Sequence, residues 1–162
     1  MQIQITQPSI WKRIFLVQIV NGNLLGEMKY VNAFVQAQAE IESINGNWII
    51  RKKSFWSREI QVIEKNSQII LSSFFYNQWK REMKCTLDYN NFIFRSKGLW
   101  QRKYTWENDK GEMLLEYIPQ QGLKFNSTAT VAGGAEKLKQ FSLLVFIGLY
   151  QLNAIRTTRS MY

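Results

Sequence analysis

Residues Ala135–Ile155 read AEKLKQFSLLVFIGLYQLNAI, with no turn signal inside and a centre that is apolar on every side. Such a stretch predicts a helix over about residues 136–155, with Glu136 in its first turn and Arg156 at its end, both placed to suit the backbone dipole. A helix apolar all round must be buried in protein or in lipid. Its unbroken apolar run, Phe141–Tyr150 with Ser142 inside it, is ten residues long, whereas a bilayer needs about twenty. Lys139, Gln140, Gln151 and Asn153 close the run from both sides. The expectation is therefore a rod wrapped by the protein itself, with Gly148 letting a strand or side chain approach closely because it has no Cβ.

The chain before this helix is written in strands. Turn chemistry recurs at Asn21-Gly22, Asn45-Gly46, Lys65-Asn66-Ser67, Asn90-Asn91, Lys97-Gly98, Asn108-Asp109-Lys110-Gly111 and Pro119-Gln120-Gln121-Gly122, where Asn, Asp and Gly tolerate the backbone angles of tight hairpins. Apolar residues alternate between the turns: Ile3/Ile5, Val35/Ala37/Ala39/Ile41, Ile60/Val62 and Tyr104/Trp106. Leu123–Val131 supplies one more strand before Gly133-Gly134 breaks the chain. Period-two patterning with a turn about every 8–12 residues marks an all-β sandwich or barrel. Together with the rod, it predicts a mainly β fold: a closed antiparallel barrel of about twelve strands around a hydrophobic C-terminal helix.

One segment is written twice. Asn47–Val62, NWIIRKKSFWSREIQV, aligns without a gap on Asn91–Trp106, NFIFRSKGLWQRKYTW, forty-four residues on, with six identities in sixteen positions. Continued at the same offset, Ile69-Ile70-Leu71 falls on Met113-Leu114-Leu115, so each copy reads as strand, bend, strand, hairpin turn, strand. Two such meanders related by pseudo-symmetry would close a sheet and remove its aggregation-prone edges. The alternative is convergence of strands in similar surroundings on similar residues.

The chain has 162 residues and a net charge of +9, with no histidine and one cysteine. That length suits one domain with a sizeable core, here residues 1–162. Lone Cys85 cannot form an internal disulfide, which fits a reducing, cytoplasmic setting. Lys12-Arg13 before Ile14–Val20 looks like the start of a signal peptide, but Gln18 interrupts it and the reading is a strand.

Without histidine the commonest general base and metal ligand are both missing. Cys85, in a strand-like context, reads as a small buried hydrophobe. Gly133-Gly134 lacks the context of a phosphate-binding loop, and Glu40 with Glu42 reads as a solvated strand face. No enzyme and no cofactor are expected.

The basic balance favours a polyanionic partner, whether a lipid surface or nucleic acid. Arg51, Lys53 and Arg58 in the first copy and Arg95, Lys97 and Arg102 in the second bracket Trp56 and Trp100 at the bends. If the copies occupy equivalent barrel positions, the bends form basic rims suited to an anionic phospholipid membrane surface, with Trp56 and Trp100 as interfacial aromatics. The plain alternative is that these bases blunt strand ends while the indoles pack inward. Single-stranded nucleic acid, read by basic grooves and stacking aromatics, is the second functional class. A protein-interaction scaffold is a further alternative.

The hairpin Asn45-Gly46-x-Trp48 running to Ile49, the Tyr104-x-Trp106-x-Asn108 strand followed by Gly111, and the apolar helix Leu138–Leu152 resemble the tubby C-terminal superfamily. That superfamily includes the plant LURP-one-related proteins and the phospholipid scramblases. The resemblance covers most of the chain, from about Gly22 to Ile155. It implies a non-enzymatic barrel whose better-known members act at membranes, tubby proteins through phosphoinositides bound by basic exterior residues. A scramblase-type calcium segment is not expected, because Asp88 and Asp109 are the only aspartates and stand far apart.

Overall fold

The computed structural model describes residues 1–31, 38–98 and 102–159. Val35 and Ala37 of the predicted strands lie outside these. Thirteen strands form: β1 (Gln2–Thr6), β2 (Ile14–Ile19), β3 (Leu24–Tyr30), β4 (Ala39–Ser43), β5 (Gly46–Lys52), β6 (Ile60–Glu64), β7 (Ile70–Phe74), β8 (Tyr76–Asn77), β9 (Glu82–Leu87), β10 (Asn90–Lys97), β11 (Lys103–Asn108), β12 (Met113–Gln120) and β13 (Asn126–Val131). They make one antiparallel sheet in the order β7-β6-β5-β4-β3-β2-β1-β13-β12-β11-β10-β9-β8. The thirteenth strand is the two-residue β8. The sheet curls until β7 lies against β9, where Ser72 Oγ comes within 3.4 Å of Cys85 Sγ. Among the described residues no backbone ladder joins those two strands, so the barrel is nearly closed.

Its interior is filled by α1 (Phe141–Arg159). Every residue from Gln140 to Leu152 is buried, so this part of the helix has no solvent face, as its all-round apolarity requires. Alternate strand residues meet it, including Ile3, Ile5, Ile41, Val62, Phe94 and Trp106. Each such side chain is worth about 1.5–3 kcal/mol on burial. No helix of the described residues is long and apolar enough to cross a membrane.

The helix starts later than predicted. Ala135–Lys137 is a short 3-10 turn after left-handed Gly134, Leu138 is extended, and α1 begins only at Phe141. The chain leaving β13 must first cross the mouth of the barrel before turning down its axis. Glu136 therefore belongs to the 3-10 turn, and the first turn of α1 holds no acid. An acid from elsewhere serves that end: Asp88 accepts from Gln140 Nε2 at 3.0 Å and pairs with Lys139 at 3.2 Å. Asn45 Nδ2 donates to Ser142 Oγ at 2.5 Å beside it.

The repeat holds in three dimensions and extends one strand upstream. β4 pairs with β5 through Ile41↔Trp48 and Ala39↔Ile50, and β9 pairs with β10 through Cys85↔Phe92 and Met83↔Phe94, all displaced by forty-four. The next ladder agrees as well, Ile50↔Val62 matching Phe94↔Trp106. Both copies then carry a bulge at the same place, between Val62 and Ile63 and between Trp106 and Glu107. Beyond the bulge the third strand slips: Val62 faces Ser72, whereas Trp106 faces Leu115. The structural counterpart of Met113-Leu114-Leu115 is therefore Ile70-Leu71-Ser72, because the second hairpin connection is one residue shorter. Two turns likewise sit one or two residues earlier than predicted, at Ile44-Asn45 and at Asp88-Tyr89. Asp88 and Tyr89 both take positive φ there, as a two-residue hairpin turn demands.

Candidate functional site

Every ladder is antiparallel, and β8 continues in the direction of β7, so connections lie at alternate ends except across the β7–β8 step. The connections 7–13, 53–59, 78–81 and 121–125, with Gly98 and Arg102, therefore gather at one end. The last turns of α1 arrive at the same place, where Arg156 donates to the carbonyls of Gly122 and Leu123 at 2.6 and 2.8 Å. Its guanidinium lies over the Phe125 ring at 5.7 Å, while Tyr150, further in, stacks on Tyr30 with centroids 5.9 Å apart. Both predicted basic bends thus share one end of the molecule.

Charge divides unevenly between the ends. The connections at the helix C-terminal end carry Lys12, Arg13, Lys53, Arg58, Lys80, Arg81, Arg102 and Lys124, with Glu59 their one acid among the described residues. The opposite connections balance Lys65, Lys110, Lys137 and Lys139 against Asp88, Asp109, Glu112 and Glu136. A surplus of positive charge is therefore focused on one face.

The six predicted bases fare differently. Arg51 lies exposed on the outer side of β5, and Arg58 and Arg102 are exposed in connections; none of the three has a carboxylate partner among the described residues. Lys53 is paired with Glu59 at 3.0 Å. Arg95 and Lys97 are drawn into a cluster on the outer wall. Glu107, buried there, binds Lys97, stands 3.8 Å from Arg95 and accepts from Thr105 Oγ1 at 3.3 Å, while Glu82 lies 3.4 Å from Arg95. The register brings Glu82 directly opposite Arg95, and such cross-strand charges attract. The second copy's strand bases are accordingly neutralised, while Arg51 on β5 and Arg58 and Arg102 in the connections keep free charges.

Trp56 is 89 % exposed and meets Phe55 edge-on, with centroids 4.8 Å apart. It does not plug the barrel. Trp100 lies outside the described residues. Sequence reasoning overlooked Trp11, Trp79 and Leu123, which are 88 %, 98 % and 88 % exposed at this same end. A signal for the tryptophans was present: each stands two residues before an arginine in a turn region, outside the alternation that marks core strands. The opposite end also exposes Ile44, Ile69 and Tyr89, but over balanced charge and without tryptophan.

Beside the tip of α1 a cleft of about 220 Å³ opens, lined by Arg102, Tyr104, Gln120, Phe125, Ile155 and Arg156 among others. Cys85 lies inside the barrel on β9. It is buried near Ser72, and burial pushes its thiol up to about 11, which keeps it protonated and unreactive at neutral pH.

No protein-family model matches this chain, and no curated protein or solved structure is similar to it.

Proposed function

We propose that this chain is a non-enzymatic barrel domain that attaches peripherally to anionic phospholipid surfaces through its helix C-terminal end. One observation carries the reading: the basic surplus sits on connections at that end, while the opposite end is charge-balanced. Each basic residue close to an anionic bilayer is worth about 1 kcal/mol. Unpaired Arg51, Arg58 and Arg102 then supply weak, salt-sensitive attachment, which Lys12, Arg13 and Lys80 strengthen. The bases are spread around the mouth of the barrel, which suits a flat surface better than a strand held in one groove. The high Cys85 pKa supports the non-enzymatic part of the reading, and the helix wrapped by its own antiparallel barrel supports the likeness to tubby-type barrels.

Co-sedimentation with phosphatidylserine-containing and with neutral phosphatidylcholine vesicles, at low and high salt, tests the reading. The expected result is pelleting with the anionic vesicles that weakens as salt rises. Equal binding to both, or none, removes it. Tighter binding to a labelled single-stranded oligonucleotide than to the vesicles would transfer the basic end to nucleic acid.

A further inference from the structure

Four of the six tryptophans occur in the triplet Trp-x-Arg: Trp11-Lys12-Arg13, Trp56-Ser57-Arg58, Trp79-Lys80-Arg81 and Trp100-Gln101-Arg102. The other two, Trp48 and Trp106, are buried core residues. Each triplet falls in a different connection, and the three connections that hold Trp11, Trp56 and Trp79 belong to the helix C-terminal end. Trp100 and Gln101 lie outside the described residues, so the geometry rests on the other three triplets.

The three described indoles are almost wholly in solvent, at 88 %, 89 % and 98 % exposure. A monomer that leaves several such rings uncovered on one face presents a surface adapted to a partner. The arginines beside them are available too. Arg13, Arg58, Arg81 and Arg102 have no carboxylate partner among the described residues, although Arg81 donates one bond to Ser96 Oγ at 2.8 Å.

We infer that the three described triplets form a collar that inserts its indoles at the headgroup–acyl boundary of a bilayer and sets each arginine against lipid phosphate, docking the barrel end-on. This rests on the reading that the same end meets anionic lipid. The chemistry divides within each triplet. An indole has an apolar body and a polar N–H and settles at the interface, while a guanidinium binds phosphate oxygens in a fork. The sheet order makes the occupant a bilayer: β1/β2, β5/β6 and β8/β9 are distributed along the curled sheet, so one flat, extended partner meets all three connections at once. Leu123, projecting from the β12–β13 connection, adds an aliphatic tip to the collar. Binding therefore has two parts, a salt-sensitive part from the arginines and a salt-resistant part from the indoles.

The test uses the full chain with phosphatidylserine–phosphatidylcholine vesicles whose phosphatidylcholine carries brominated acyl chains. Tryptophan emission is expected to shift to the blue and to be quenched on binding, with part of the binding surviving high salt. The variant W11A/W56A/W79A is expected to keep the wild-type circular dichroism and urea midpoint, because its altered side chains touch little, and to bind roughly tenfold more weakly at high salt. R13Q/R58Q/R81Q is expected to lose affinity mainly at low salt. Vesicle binding without bromolipid quenching, or a triple tryptophan variant that binds like the wild type, overturns the collar and leaves the charge-based reading standing. Absence of any vesicle binding overturns both.

Discussion

The phenol of Tyr117, on β12, donates to the main-chain carbonyl of Val145 at 3.1 Å across the barrel interior, and Gly148 leaves the space in which that ring lies. A Cβ at Gly148 would stand 2.5 Å from Tyr117 Oη and 2.8 Å from Trp106 Nε1. Alanine is the better helix former by about 1 kcal/mol, yet overpacking a filled core costs about 1–3 kcal/mol. Gly148→Ala should therefore destabilise the fold in urea titration. Tyr117→Phe in the same chain should recover part of that loss as a non-additive coupling. A Gly148→Ala protein at least as stable as the wild type would mean that the helix and β12 do not meet this closely.

Glu107 holds Lys97 and Arg95 on the outer wall. Glu107→Gln keeps the shape and removes the charge, which should lower stability by about 1–3 kcal/mol and free Lys97, while Arg95 keeps Glu82. Affinity for anionic vesicles should rise in parallel. Unchanged stability together with unchanged vesicle affinity would show that the cluster does not restrain these bases.

The Lys139 ammonium and the Gln140 amide hold the Asp88 carboxyl below its ordinary range. A carboxylate with a depressed folded pKa stabilises above its unfolded value, about 3.9, and that contribution is lost as pH falls through the folded value. Wild-type urea midpoints should therefore drop below about pH 4, with Asp88→Asn dropping less relative to its own value at neutral pH. Equal drops in the two proteins would remove Asp88 from the acid response.

Burial raises the Cys85 thiol to about 11. A thiol raised in the fold contributes stability below its unfolded pKa, near 8.5, and loses it as pH climbs toward the folded value. Alkylation by iodoacetamide at mildly alkaline pH should be slow in the native protein and fast in urea, since reaction needs an opening that exposes the thiolate. Rapid, complete labelling of the native protein would place Cys85 at the surface.

Deleting everything after Gly134 removes α1 and leaves the inward residues of the whole sheet facing water. A single domain has only about 5–15 kcal/mol of net stability, and the helix buries twelve consecutive residues, Phe141–Leu152. The truncated chain should be unfolded or insoluble by circular dichroism and sedimentation. A soluble, folded barrel lacking α1 would contradict the packing described above.

Local pattern carried the fold a long way. The buried state of Phe141, Val145 and Leu149 followed from an apolar circumference too short for a bilayer, and the inward faces of Ile3, Ile5, Tyr104 and Trp106 followed from alternation. The forty-four-residue offset reappears as identical ladder register and an equivalent bulge. The start of α1 was misplaced because Ala135–Lys137 has helical chemistry, and only the need to cross the barrel mouth puts it outside the helix.

The basic and aromatic end was legible only in part. Arg51, Arg58 and Trp56 were identified from the repeat and stand exposed, while Trp11 and Trp79 lie outside it and went unnoticed. Period, length and turn chemistry are properties of neighbouring residues, so the chain alone determined a β meander with a helical plug. Which cations remain free, and which loops stand side by side, depends on contacts between residues far apart in the chain. Cross-strand register delivers Glu82 and Glu107 to Arg95 and Lys97, and the antiparallel ladders, with β8 prolonging β7, collect the exposed indoles at one end. Tertiary structure decided both, because electrostatic pairing and surface patches depend on distance in space, which sequence spacing does not set.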